Sequence, residues 1–148
     1  MHRKFVLLVE DSPDDVELIL RALSRSDTTV EVVVAHDGVE ALNFLFGTGA
    51  YAGRNINVMP TVVFLDLKLP RINGFEVLER IRSDERTKLL PVVILTSSNE
   101  EKDLIRSYEL GANSYVCKTV DFTEFSNAIR QLGSYWLFLN ESPMKENE

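Results

Sequence analysis

Five residues of this 148-residue chain are of types that, brought together, could move a phosphoryl group: Glu10, Asp11, Asp66, Thr96 and Lys118. Each stands where an apolar run stops. Phe5 to Val9 runs into Glu10-Asp11, Thr61 to Leu65 into Asp66, Val92 to Leu95 into Thr96, and Ser114 to Cys117 into Lys118. A short apolar, β-branched run bounded by turn residues reads as a strand buried on both faces. In an open α/β sheet, sites form beyond the carboxyl ends of parallel strands. If these strands are neighbours, three carboxylates, a hydroxyl and an ammonium share one rim. A lone Asp after a strand is more often a turn residue or a helix cap, and a lone strand-end Thr is read the same way. The repetition of the pattern at successive strand ends gives the set its weight.

The charges say what such a rim needs. Glu10, Asp11 and Asp66 carry three negative charges when ionised, and Lys118 offsets one. A cluster of this kind raises a carboxylate pKa or recruits a cation. Mg²⁺ fits, because it takes oxygen ligands from one or two carboxylates together with waters and phosphate oxygens. Asp66, as a carboxylate nucleophile, could accept a phosphoryl group. The metal and Lys118 would screen the transferred charge, and Thr96 could hydrogen-bond to it.

The elements that must position these residues follow in chain order. Phe5 to Val9 predicts a central strand. Ser12-Pro13-Asp14-Asp15 then supplies an N-cap, a proline at the first helical position and first-turn acids. Val16, Ile19, Leu20 and Leu23 form one helical stripe, with Arg21 and Arg25 towards its C-terminus. Val30 to Val34 alternates in part and predicts a strand nearer an edge. Asp37-Gly38-Val39-Glu40 has capping-box form and opens a helix with Ala41, Leu42, Leu45 and Phe46 inward, closed by Gly47. Thr48 to Met59 is a long loop, which serves function or is a tolerated insertion. After the Asp66 strand, Asn73-Gly74-Phe75-Glu76 opens a third helix with Phe75, Leu78 and Ile81 inward. Ser98-Asn99-Glu100-Glu101 repeats the capping-box form before Leu104, Ile105 and Tyr108, and Gly111 ends that helix. Asp121 caps a last helix carrying Phe122, Phe125, Ala128, Ile129, Leu132 and Trp136. Five strands alternating with five helices predict an α/β fold, a doubly wound five-stranded parallel sheet with right-handed crossovers. Residues 140–148 are polar, contain Pro143 and read as a loose tail.

Composition narrows the function classes. Hydrophobic residues make up 45% and the net charge is -7, with a pI near 4.9. The length suits one domain. An acidic chain is a poor nonspecific ligand for nucleic acid or for an anionic membrane surface. No apolar run is long enough to span a bilayer. The stretch after the basic start is too short for a signal peptide, so a cytoplasmic protein is expected. Cys117 is the single cysteine, which excludes a disulfide framework and a cysteine metal cluster.

Taken together, Val9-Glu10-Asp11-Ser12, Leu65-Asp66-Leu67-Lys68-Leu69-Pro70, Asn73-Gly74, Leu95-Thr96-Ser97, Gly111-Ala112 and Lys118 resemble the receiver domain of two-component response regulators. The resemblance runs from Lys4 to about Leu139. It implies a flavodoxin-like receiver fold with strand order 2-1-3-4-5, and a domain over residues 4–139 followed by the 140–148 tail. It implies Asp66 as phosphoacceptor and Glu10 and Asp11 as the acidic Mg²⁺ site, completed by Asp66 and the backbone carbonyl of Lys68. Thr96 becomes the switch hydroxyl, Tyr115 the aromatic that swings with it, and Lys118 the phosphoryl contact. The donor would be a phosphohistidine on a sensor histidine kinase. The Thr48–Met59 loop, Ser97-Ser98 and Tyr135-Trp136-Leu137-Phe138 are similar to the small single-domain regulators that partner cyanobacterial phytochromes, which makes a phytochrome the candidate kinase. With no output domain read in the sequence, a homodimer through the fourth helix, fifth strand and fifth helix is expected. In the receiver pattern a proline usually follows the lysine; here Thr119 does.

Other readings stay open on the residues alone. A magnesium-dependent phosphatase or phosphotransferase often needs a second acid two positions after its nucleophile, where this chain has Lys68. A nucleotide-binding module would need a glycine-rich loop after Val9, and none is there. A pseudo-receiver that only binds has no use for the full set of acids, hydroxyl and lysine.

Overall fold

The structure is a computed structural model and describes residues 3–24 and 30–144. Five parallel strands lie in the order β2-β1-β3-β4-β5: β1 Phe5–Val9, β2 Glu31–Ala35, β3 Val62–Leu65, β4 Val92–Thr96 and β5 Ser114–Cys117. The helices between them are α1 Pro13–Ser24, α2 Gly38–Phe46, α3 Gly74–Ser83, α4 Glu101–Glu109 and α5 Phe122–Ser134. The fold class is the one the alternation of strands and helices predicts, and the strand order is the one the receiver-domain resemblance implies. β2 is displaced by one residue, from 30–34 to Glu31–Ala35. Arg25 lies outside the described residues.

The period-two geometry of the strands sorts the core into two layers. Phe5, Leu7, Val9, Val63 and Leu65 face α2 and α3, meeting Ala41, Leu45, Val77, Leu78 and Ile81. Val6, Leu8, Val62, Phe64 and Leu95 face α1 and α5, meeting Ile19, Leu23, Phe125 and Ile129. β1, β3 and β4 are buried along their whole length. Each fully buried Leu, Val or Phe contributes about 1.5–3 kcal/mol, so these central strands fix the rim where the polar residues emerge.

Helix starts follow their caps. The Asp37, Asn73 and Asp121 side chains accept the backbone N–H of Glu40, Glu76 and Glu124 at 2.7, 3.0 and 2.9 Å. Gly47 closes α2 with a left-handed φ of 66°. Two expectations change. α4 begins after Glu100 with no side-chain cap, because Ser98 has a different role described below. The stripe Leu104, Ile105 and Tyr108 is exposed, and the only buried residue of α4 is Ser107. α4 packs beside the edge strand β5, where little sheet lies beneath it.

The chain beyond α5 continues as a π-helical turn, Tyr135–Leu139. The wider turn buries Leu137 and leaves Trp136 only partly covered. The described part of the 140–148 segment returns to the protein, and Met144 packs against the α2–α3 layer. The Thr48–Met59 loop is pinned by Arg54. Its guanidinium donates to the carbonyls of Phe44 and Val58 at 2.6 and 2.7 Å and lies 4.0 Å over the Phe44 ring. No described helix is long and apolar enough to cross a membrane.

Candidate functional site

Register brings the polar residues together. Val9 pairs with Leu65, so Glu10 and Asp66 emerge side by side. Thr96 pairs with Cys117, and Lys118 follows one step on, its N–H donating to the Thr96 carbonyl at 2.7 Å. Glu10 and Asp66 are buried, 2% and 6% exposed, while Asp11 is exposed. Carboxylate oxygens of Glu10, Asp11 and Asp66 lie within 4.8 Å of one another, close enough to share one cation. All three are hard oxygen donors, the set a divalent ion such as Mg²⁺ or Mn²⁺ takes.

Lys118 reaches across from β5 into this group. Its ammonium donates to Glu10 Oε1 at 2.5 Å, to Asp15 Oδ2 at 2.9 Å and to Asp66 Oδ2 at 3.3 Å. Burial works to lower the Lys118 pKa, but the Glu10 and Asp15 hydrogen bonds and the Asp66 charge outweigh it and hold it above the ordinary lysine value. Burial raises the Glu10 pKa, and the Asp66 charge adds to that, against the hydrogen bond from Lys118. Asp15 is the residue the sequence reading passes over. Acids in a first helical turn suit the helix dipole, so nothing local marks it for Lys118.

The backbone around Asp66 is tightly built. The Lys68 N–H donates to Asp66 Oδ1 at 3.3 Å, and Lys68 itself is exposed. Gly74, the first residue of α3, donates its N–H to the Leu67 carbonyl at 2.9 Å. A Cβ at Gly74 would stand 2.3 Å from the Asp66 carbonyl oxygen, so only glycine allows α3 to start this close to the loop.

Thr96 is fully buried, and its Oγ1 accepts the Ser98 N–H at 3.3 Å. Ser98 is a junction. Its hydroxyl donates to Asp103 Oδ2 at 2.6 Å and accepts the Glu100 N–H at 3.3 Å. Its carbonyl accepts from the Tyr115 hydroxyl at 2.9 Å and from the Cys117 thiol at 2.9 Å. Tyr115 is half-buried and joined to Thr96 through this one residue. Every peptide bond among the described residues is trans, including the one before Thr119.

The arrangement supplies a buried carboxylate beside a cation-sized acidic cluster, an ammonium in contact and a hydroxyl at the end of the neighbouring strand β4. Comparison with known proteins gives the same direction. Residues 6–130 match the response regulator receiver domain. The response regulator Rcp1 of Synechocystis sp. is 37% identical over 134 residues, which cover 90% of this chain and 89% of that protein. The crystal structure of the phosphorylated cyanobacterial phytochrome response regulator RcpA superposes with a TM-score of 0.88 at 37% identity, covering 97% of this chain and 99% of that one. The Mn²⁺-bound form of Rcp1 superposes with a TM-score of 0.87 at 36% identity, covering 95% and 99%.

Proposed function

This chain belongs to the response regulator receiver domain family, and on that premise we propose that it is a phosphoacceptor switch that takes a phosphoryl group on Asp66 from a sensor histidine kinase. The observation that carries the reading is the contact set at Asp66: two further carboxylates within cation distance and the Lys118 ammonium at 3.3 Å. An Asp66 oxygen attacks phosphorus, the P–O bond forms as the P–N bond of a phosphohistidine breaks, and the electron pair leaves on the imidazole. Lys118 offsets charge on the transferred group, and the Thr96 hydroxyl is the hydrogen-bond partner it gains. Glu10, Asp11, Asp66 and the Lys68 carbonyl would hold Mg²⁺, which supplies charge neutralisation for the transfer. The protein is a signalling domain, and its output is a changed contact face. Likeness to the cyanobacterial phytochrome response regulator RcpA makes a phytochrome the candidate kinase.

The test is incubation with Mg²⁺ and a small phosphoryl donor, followed by mass spectrometry. Modification on Asp66, lost in Asp66→Asn, is expected; modification elsewhere, or none, overturns the reading. A binding-only pseudo-receiver would show none.

Asp11→Asn is expected to weaken Mg²⁺ binding about tenfold, because it replaces one anionic oxygen of a small hydrated site. Titration of the two proteins with Mg²⁺ checks this, and an unchanged affinity removes Asp11 from the ligand set.

We propose further that two copies pair through α4, β5 and α5. β5 is an edge strand, and Leu104, Ile105 and Tyr108 on α4 are exposed beside it. Light scattering at high concentration is expected to show a dimer. A monomer both with and without phosphorylation refutes the pairing.

A further inference from the structure

An ammonium has three N–H donors, and at Lys118 each of the three meets a different carboxylate: Glu10, Asp15 and Asp66. Their other obligations differ. Glu10 and Asp66 belong, with Asp11, to the cluster whose oxygens lie within 4.8 Å of one another. A divalent cation entering that cluster competes with Lys118 for the same two carboxylates. Asp66 is also the residue that changes when a phosphoryl group arrives. Asp15 stands outside the cluster, in the first turn of α1, with its side chain 36% exposed. It is the one partner of Lys118 among the described residues whose carboxylate has neither duty.

The backbone does not fix the lysine by itself. Lys118 leaves the edge strand β5, whose residues are only half-buried, and it is followed by exposed Thr119 and by Val120, which packs against nothing. The long side chain must cross from β5 to the ends of β1 and β3, and its far end needs an anchor. Without one, its rotamer freedom is restored.

We propose that Asp15 is a positioning residue for phosphoryl transfer. It keeps hold of the Lys118 ammonium when the metal claims Glu10 and Asp66, so that the N–H freed from Asp66 points at the incoming phosphoryl oxygen. The inference rests on the phosphoacceptor reading of Asp66, and it makes a signed claim. Loss of one negative charge beside the site would, by electrostatics alone, speed attack on an anionic donor. Loss of an anchor slows it, because small misplacements of a catalytic group reduce rates up to about a hundredfold.

The test compares Asp15→Asn with Asp14→Asn, the neighbouring acid of the same turn, for which no contact with Lys118 is found. Each is phosphorylated by a small donor at saturating Mg²⁺, and Mg²⁺ affinity is measured separately. Asp15→Asn is expected to slow modification of Asp66 roughly tenfold, with Mg²⁺ affinity within about twofold of wild type. Asp14→Asn should be at least as fast as wild type, and Asp15→Glu should recover part of the rate. A rate in Asp15→Asn equal to or above wild type overturns the proposal, as does a loss of rate matched by loss of Mg²⁺ affinity. An independent arm follows the Lys118 ammonium by ¹⁵N NMR with Mg²⁺ present and no phosphoryl donor. Its protons should exchange with water faster in Asp15→Asn than in wild type, and unchanged exchange refutes the anchor. If wild type takes no phosphoryl group on Asp66, the functional reading fails, and the ammonium signal still decides whether Asp15 holds Lys118.

Discussion

Lys118→Met is expected to cost the metal-free protein about 3–5 kcal/mol of folding stability at pH 8, the range for removing one partner of a buried ion pair. The side chains involved are well covered: Lys118 is 10% exposed, Glu10 2% and Asp66 8%. Methionine fills similar volume, so the loss is electrostatic and not a cavity. Without the ammonium, Glu10 and Asp66 face each other with no cation between them, and each keeps its desolvation cost. The pH dependence has a definite sign. The Glu10 pKa is already raised in the folded state, and losing Lys118 removes the hydrogen bond that restrains it. A carboxyl whose folded pKa lies above its unfolded value favours folding below the unfolded pKa, and that contribution is lost as pH rises through the folded pKa. The deficit of Lys118→Met should therefore be largest at pH 8 and shrink as the buffer is acidified towards the ordinary carboxylate range. Mg²⁺ should restore part of the loss at pH 8 by taking the place of the missing charge. Urea denaturation of both proteins, with and without Mg²⁺, checks all three statements. A variant as stable as wild type without metal would mean that Lys118 does not hold this cluster together.

The central strands were legible because each is a short apolar run that stops at a polar residue, and burial on both faces leaves no other reading. That carried the strands and the polar residues at their ends; the sheet order, which makes neighbours of β1 and β3 and so brings Glu10, Asp11 and Asp66 together, came from the resemblance of the motifs to receiver domains. Side-chain direction was less legible. Leu104, Ile105 and Tyr108 keep helical spacing, but a period does not say whether anything lies against that face, and α4 sits at the edge of the sheet. Ser98 has the spacing of a cap, yet Asp103, Tyr115 and Cys117, one of them close in sequence and two on a neighbouring strand, decide its bonds. Asp15 was hidden because a first-turn acid already has a sufficient local explanation, and its partner is 103 residues away. The π-helical turn at Tyr135–Leu139 has no local signature, so the burial of Leu137 in place of Trp136 follows only from the packed structure.

Thr96→Ala is expected to leave phosphorylation of Asp66 intact and to uncouple Tyr115 from it. The connection runs through Ser98. Thr96 Oγ1 accepts the Ser98 N–H at 3.3 Å, and the Ser98 carbonyl accepts the Tyr115 hydroxyl at 2.9 Å. A phosphoryl group brings close to two negative charges and strong acceptor oxygens. It offers the Thr96 hydroxyl a charge-assisted bond worth roughly 1.5–3 kcal/mol, against about 0.5–1.5 kcal/mol for a neutral one. The long contact from Ser98 therefore yields first. As Thr96 turns towards the phosphoryl group, Ser98 is released on one side. The Tyr115 hydroxyl then loses its fixed acceptor, and the ring can turn into the space Thr96 leaves. The exchange gains roughly 1–1.5 kcal/mol, which at about 1.4 kcal/mol per factor of ten shifts the two-state ratio about five- to tenfold, and alanine cannot make the new bond. NMR of Tyr115 in wild type and Thr96→Ala, each with and without a phosphoryl mimic, measures the coupling. A clear response is expected in wild type and a small fraction of it in the variant. Tyr115→Phe supplies the converse: with no bond to Ser98 to break, the ring should occupy the inward position more often before any phosphoryl group arrives. If Tyr115 responds equally in wild type and Thr96→Ala, Ser98 is not the link and the two residues move independently.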